Sequence, residues 1–131
     1  MSIRNFEALF RPRSIALVGA SNAPRSVGNV IARNLLTGGF DGPVMLVNPH
    51  ERVIEGRPVH NTLGALPECP DLAIVATPAR TVPGIVGELG AMGCCAAVVI
   101  SAGLGEAGIS GKSLRQEMLD RARPHLMRIV G

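Results

Sequence analysis

Small and polar residues gather at four points of this 131-residue chain, each directly after a short apolar run. The first is Gly19-Ala20-Ser21-Asn22-Ala23-Pro24-Arg25-Ser26-Val27-Gly28. Small side chains let the backbone approach an anion, and the free N–H groups of a helix start attract phosphate. Ser21, Asn22 and Ser26 add hydroxyl and amide donors, and Arg25 adds charge. Two readings meet here: a phosphate-binding turn, and a plain strand-to-helix turn capped by Ser26. The two glycines stand nine positions apart with Pro24 between them, so this is not the G-x-G-x-x-G of dinucleotide sites.

The second point is Val47-Asn48-Pro49-His50. A dinucleotide dehydrogenase carries an Asp or Glu here for the ribose 2′-hydroxyl. In this chain the first acid, Glu51, comes only after Asn-Pro-His, which counts against NAD. His50 and Arg52 suit an extra phosphate on an adenosine ribose, or are surface residues without a ligand. The third point is Ala76-Thr77-Pro78-Ala79-Arg80, and the fourth is Ile100-Ser101-Ala102-Gly103-Leu104-Gly105-Glu106. Arg80 at a helix start opposes the macrodipole unless an anion or solvent receives it.

Other chemistries find little support. The run from Gly105 to Gly111-Lys112-Ser113 resembles a phosphate loop of ATPases, but it has five residues between the glycines where that geometry needs four. A helix start capped by Ser110 is the better reading. His50, His60 and His125 have no nucleophile partner in motif context, and no H-E-x-x-H occurs, so no catalytic residue is assigned. Cys69 is isolated and Cys94-Cys95 are adjacent, which is no zinc spacing; the pair reads as small buried hydrophobes, and no metal is expected. The net charge is +3, but the basic residues are scattered and only 2% of residues are aromatic, which argues against nucleic acid. No apolar run approaches the ~18 residues of a membrane span, and the start lacks a signal peptide's apolar core. A cytoplasmic protein without membrane contact is expected.

The elements that must position these loops follow from periodicity. Short β-branched runs at 14–19, 43–48, 71–76 and 96–101 have the length and composition of strands buried on both faces, and Leu126–Val130 begins a fifth. Between them, Val27, Val30, Ile31 and Leu35 fall at helical spacing, as do Val82, Val86, Leu89 and Met92, and then Leu114, Met118, Leu119 and Ala122. Gly84, Gly87 and Gly90 in the second of these helices suggest close packing on the sheet. Residues 51–65 read as two short extended pieces around Gly56 and a polar turn, outside this alternation. Alternating strands and helices with short connections predict an α/β, Rossmann-like, doubly wound parallel sheet. At this length it is one domain spanning residues 1–131, and its stop on a strand suggests the N-terminal part of a longer multidomain protein.

Taken together, Gly19-Ala20-Ser21, Val47-Asn48-Pro49, the Asp71–Pro78 stretch and Ile100-Ser101-Ala102-Gly103 with Glu106 resemble the CoA-binding domain of NDP-forming (ADP-forming) acyl-CoA synthetases. Succinyl-CoA synthetase alpha chains are more distant relatives. The segments Phe6–Gly19 and Gly38–Pro43 look closest to a bacterial branch in which synthetase-like subdomains and a GNAT acetyltransferase domain follow. The resemblance implies CoA or acetyl-CoA as ligand. The phosphates would lie against Gly19, Ala20, Ser21 and the loop through Asn22, Arg25, Ser26 and Val27 to Gly28. The adenosine and 3′-phosphate would lie near Asn48, Pro49 and His50, where many members have Lys in place of the His. Further contacts would come from Thr77 and Pro78, and from Ser101, Ala102 and Gly103. It further implies that acyl transfer is performed by other domains of the parent chain, with oligomerisation left open. Two other functions fit the same fold: an NAD(P)-binding redox-sensing domain, and a ligand-poor domain kept for regulation or assembly.

Overall fold

A computed structural model describes residues 6–105 and 113–131. Along the chain run α1 (Phe6–Phe10), β1 (Ile15–Val18), α2 (Val27–Thr37), β2 (Val44–Val47), β3 (Val53–Ile54), β4 (Arg57–His60), β5 (Leu72–Val75), α3 (Val82–Met92), β6 (Ala96–Val99), α4 (Leu114–Ala122) and β7 (Arg128–Val130). All seven strands form one sheet in the order β3-β4-β2-β1-β5-β6-β7. Every pair is parallel except the terminal hairpin of β3 and β4.

The sheet is wound from its middle outward. β1 pairs with β2 on one side (Ile15 opposite Val44) and with β5 on the other (Ile15 opposite Leu72). The chain therefore reverses its direction of travel across the sheet between β1 and β5, and this is the switch point at which doubly wound sheets bind ligands. With the outer β3 set aside, the parallel strands follow the 3-2-1-4-5-6 order of dinucleotide-binding folds. β4 takes the third place in that order. The pieces around Gly56 thus belong to the sheet: β4 pairs with β2 through Leu46–Val59 and Val47–His60. Their short length and exposed Arg57 and Pro58 suit an edge and hide this membership from an apolar-run criterion.

Both faces are covered, which is why the central strands have no polar positions. On one face Leu17, Leu46 and Ile54 pack with Ala32, Ile31, Leu35 and Leu36 of α2, and Ala8 and Leu9 of α1 extend this layer over Ile15, Leu72 and Ala96. On the other, Val18, Val47, Ala73, Val75 and Val99 meet Val82, Val86 and Leu89 of α3 and Leu114, Met118 and Ala122 of α4. Leu17 and Leu89 are fully buried, each removal from water contributing about 1.5–3 kcal/mol.

Three local expectations change. α2 forms where its spacing predicts, yet Val27 and Val30 are about half exposed, while Gly28, Asn29 and Ala32 face inward. At its first turn the helix runs so close to the end of β1 that only glycine fits at position 28. In α3, Gly87 and Gly90 lie against Arg121 and the His125 ring rather than the sheet, and Gly84 faces open space. α4 is capped by Ser113, whose hydroxyl accepts the Gln116 N–H at 3.1 Å; Ser110 lies outside the described residues, as do Glu106, Gly111 and Lys112.

Candidate functional site

At the carboxyl ends of the central strands a cleft of about 630 Å³ opens between β1, β2 and β5. Val18 and Gly19 of β1 and its turn form its floor with Val47, Asn48 and Pro49 after β2 and Ala76, Thr77 and Pro78 after β5. Asn61, Thr62 and Leu63 after β4 close one side, and Thr81, Ile85 and Glu88 along one face of α3 close the other. Sequence reasoning missed those last two groups. Recognising β4 as a sheet strand would have pointed to residues 61–63, and the four-then-three spacing of residues 81, 85 and 88 marks one helical face.

The turn after β1 is shaped by two glycines. Gly19 has φ of +99°, and a Cβ there would stand 2.5 Å from the Ala76 carbonyl oxygen. Gly28 sits at the start of α2, where a Cβ would collide with the Gly19 carbonyl. One glycine thus permits the tight turn, and the other the close approach of helix to strand, the roles glycines play in dinucleotide-binding turns. Their separation in sequence is absorbed by a loop that ties itself together. The Ser21 hydroxyl accepts the Ala23 N–H at 3.0 Å, and the Ser26 hydroxyl donates to the Ala23 carbonyl at 2.8 Å. Ser26 also caps α2 by accepting the Asn29 N–H at 3.1 Å, and the buried Asn29 amide donates to the Ser21 carbonyl at 2.9 Å. Asn29 is a further residue the sequence reading missed.

The two readings of this turn are therefore compatible. Ser26 is a cap, and by taking the Asn29 N–H it leaves those of Val27 and Gly28 without a partner among the described residues. The Asn22 amide is engaged with the Glu51 carboxylate at 2.9 Å and the Val53 carbonyl at 2.8 Å, linking this loop to the hairpin. Arg25, in the left-handed region at φ of +66°, is exposed.

Asn48 organises the loop after β2. Its amide donates to the Ala20 carbonyl at 2.8 Å, and its Oδ1 accepts the N–H groups of His50 at 2.7 Å and Glu51 at 3.1 Å. Asn61 then donates to the Asn48 and Glu51 carbonyls at 2.8 and 2.9 Å. The loop is held at both ends, and His50 projects beside the cleft from an exposed position without lining it. After β5, the Thr81 hydroxyl donates toward Pro78 and Thr77, and the Ser101 hydroxyl donates to the Thr77 carbonyl at 2.7 Å.

Of the residues singled out from sequence, the structure brings Gly19, Asn48, Pro49, Thr77 and Pro78 together around the cleft. Ala20, buried, lies behind it; Ser21 to Gly28 form the adjoining turn; Ser101, Ala102 and Gly103 stand beyond Thr77 and do not line it. No group of three or more His, Cys, Asp or Glu among the described residues is arranged to hold a metal ion. None of the described helices is long and apolar enough to cross a membrane. The thiols lie at the opposite end of the sheet. Burial pushes the Cys94 thiol up to about 12, and Cys95 is half-buried. Burial also raises Cys69, which remains exposed.

A doubly wound sheet with a cleft at its switch point, a glycine turn there and a capped helix start beside it defines a nucleotide-binding domain of the Rossmann type. The chain belongs to the family of CoA binding domains, whose model matches residues 13–131. CoA is thus the ligand of its family. It is 37% identical over 131 residues to the ADP-forming acetate–CoA ligase I subunit alpha of Pyrococcus furiosus, covering 97% of this chain and 28% of that one. It is 43% identical over 125 residues to the ADP-forming acetate–CoA ligase I of Archaeoglobus fulgidus, covering 95% and 18%. Among solved structures it resembles the apo form of the dinucleotide-forming acetyl-coenzyme A synthetase 1 of Ca. Korarchaeum cryptofilum, with a TM-score of 0.86 and 36% identity over 96% of this chain and 27% of that one. The chain spans less than a third of the length of these relatives.

Proposed function

We propose that this domain holds CoA or an acyl-CoA by its nucleotide end and presents the thiol end to other parts of a larger ADP-forming acyl-CoA synthetase. The observation that carries this reading is the cleft at the switch point, whose floor joins Gly19 to Asn48 and Pro49. CoA brings roughly four negative charges, which suit helix N-termini and basic side chains. The N–H groups of Val27 and Gly28 are positioned for the pyrophosphate. His50, held by its N–H bond to Asn48, and Arg52 stand on the side of β2 where the adenosine ribose of such folds lies. Asn48 orients this loop through its Oδ1 and one amide N–H, which makes its part chiefly positioning, and its second amide N–H is left for a ligand.

No side-chain arrangement among the described residues supports acyl-transfer chemistry in this domain. The bond-making step belongs to the remainder of the parent chain. Synthesis of acetyl-CoA or a related thioester is the activity favoured by the acetate–CoA ligases it resembles. Lysine acetylation by a fused acetyltransferase domain has only the resemblance of the opening segments behind it.

Calorimetry of the 131-residue chain with CoA, acetyl-CoA, dephospho-CoA, NAD and ATP tests the reading. CoA and acetyl-CoA should bind, and NAD should not; NAD binding without CoA binding overturns it. His50→Ala should weaken CoA more than dephospho-CoA. Equal effects on the two ligands would remove His50 from the 3′-phosphate site.

A further inference from the structure

Among the described residues, the cleft wall contains one charged side chain. Of the residues that line it, all but Glu88 are apolar or uncharged. The uncharged polar ones are largely committed already: Asn48 through three bonds, Asn61 through two, Thr81 to Pro78 and Thr77. Glu88 is exposed and makes no hydrogen bond or ion pair with another described residue. It stands on the same face of α3 as Ile85, and Val27 and Gly28 at the helix start that suits phosphate are not among the residues that line the cleft beside it.

A carboxylate in this position repels phosphate and accepts hydrogen bonds, so of a polyanionic ligand it meets a part that is uncharged and carries N–H or O–H donors. On the CoA reading above, on which this inference rests, the ligand offers such a group next to the ribose: the adenine ring with its 6-amino group. The ribose of these folds lies at the end of β2, and the cleft between β2 and β5 opens directly beside that end, at Asn48 and Pro49. That space is lined by Pro49, Leu63, Pro78 and Ile85, which offer apolar surface to a ring. We propose that the Glu88 carboxylate accepts a hydrogen bond from the adenine 6-amino group and is a determinant of base specificity in this domain. The phosphates select for charge at the glycine turn, and Glu88 selects the base at the far end of the same ligand.

The test compares CoA with 1,N6-etheno-CoA, whose adenine N1 and amino group are tied into a third ring and carry no donor. Its fluorescence is easily followed in a chain without Trp or Tyr. Affinities for both ligands are measured on the wild-type chain, Glu88→Gln and Glu88→Ala, with CoA followed by calorimetry. The wild type should prefer CoA, and Glu88→Ala should weaken CoA about tenfold while leaving etheno-CoA unweakened, with Glu88→Gln between, as expected for loss of a charge-assisted hydrogen bond. Relief of crowding alone cannot produce that pattern, since it would strengthen etheno-CoA without weakening CoA. Equal loss for both ligands, or no loss for CoA, overturns the assignment of Glu88 while leaving the CoA reading intact. Failure of the wild type to bind CoA at all overturns the CoA reading itself.

Discussion

Gly28 and Gly84 stand in similar sequence surroundings, each within the first turn of a helix, yet the structure gives them opposite duties. A methyl group at Gly28 would enter the Gly19 carbonyl, which belongs to backbone and cannot swing aside. At Gly84 nothing lies within 4 Å. Gly28→Ala should therefore cost about 2–3 kcal/mol, as overpacked sites do, and displace the phosphate side of the cleft. Gly84→Ala should gain about 0.5 kcal/mol by restricting the unfolded chain and favouring helix. Thermal melts of the two variants, with and without CoA, check both signs. A Gly28→Ala chain as stable as the wild type would show that α2 can move away from β1 without loss. His50 illustrates the opposite case, in which a residue type suggests a role and the fold supplies only proximity.

At the scale of elements, the loops of this domain are tied to one another by amide side chains. Asn48 joins the end of β2 to Ala20 and turns the chain at His50 and Glu51, and Asn61 and Asn22 fasten the hairpin to it. These bonds bring the ends of β1, β2 and β4 into one rim. Asn48→Ala removes three of them and leaves the carbonyl of the fully buried Ala20 without its partner, so stability should fall by about 1–3 kcal/mol. Asn48→Asp keeps the acceptor for His50 and Glu51 but sets a carboxylate oxygen against the Ala20 carbonyl, and should fall at least as far. Denaturant unfolding ranks the three chains, and CoA affinity should follow the same order if the rim is what holds the ligand. Two variants with full stability would mean that the loop after β2 is held by its backbone alone.

For the molecule as a whole, thiols shape the alkaline limb: burial raises both Cys69 and, more deeply placed, Cys94. Its thiol ordinarily ionises at 9.0 and is pushed up to about 12 by burial, so the unfolded chain releases this proton first. Stability present below pH 9 is therefore lost as pH rises from there toward 12. Melting temperatures at pH 8 and pH 10 should fall further in the wild type than in Cys94→Ala, and equal falls would assign the alkaline loss to other groups. The apolar runs, their β-branched character and the alternation with helical spacing determined by themselves that this is a doubly wound α/β domain, because burial on both faces leaves a signature in every central strand. The loops after three of those strands also identified much of the cleft, through Gly19, Asn48, Pro49, Thr77 and Pro78. Only tertiary structure made β4 a sheet strand, since its pairing with β2 depends on backbone hydrogen bonds and leaves no apolar run. Tertiary structure alone also turned Val27 and Val30 to solvent, because the inner side of α2 is chosen by how closely Gly28 approaches Gly19. It alone brought Glu88 to the cleft, since a carboxylate on a helix has no address until the helix is laid against the sheet.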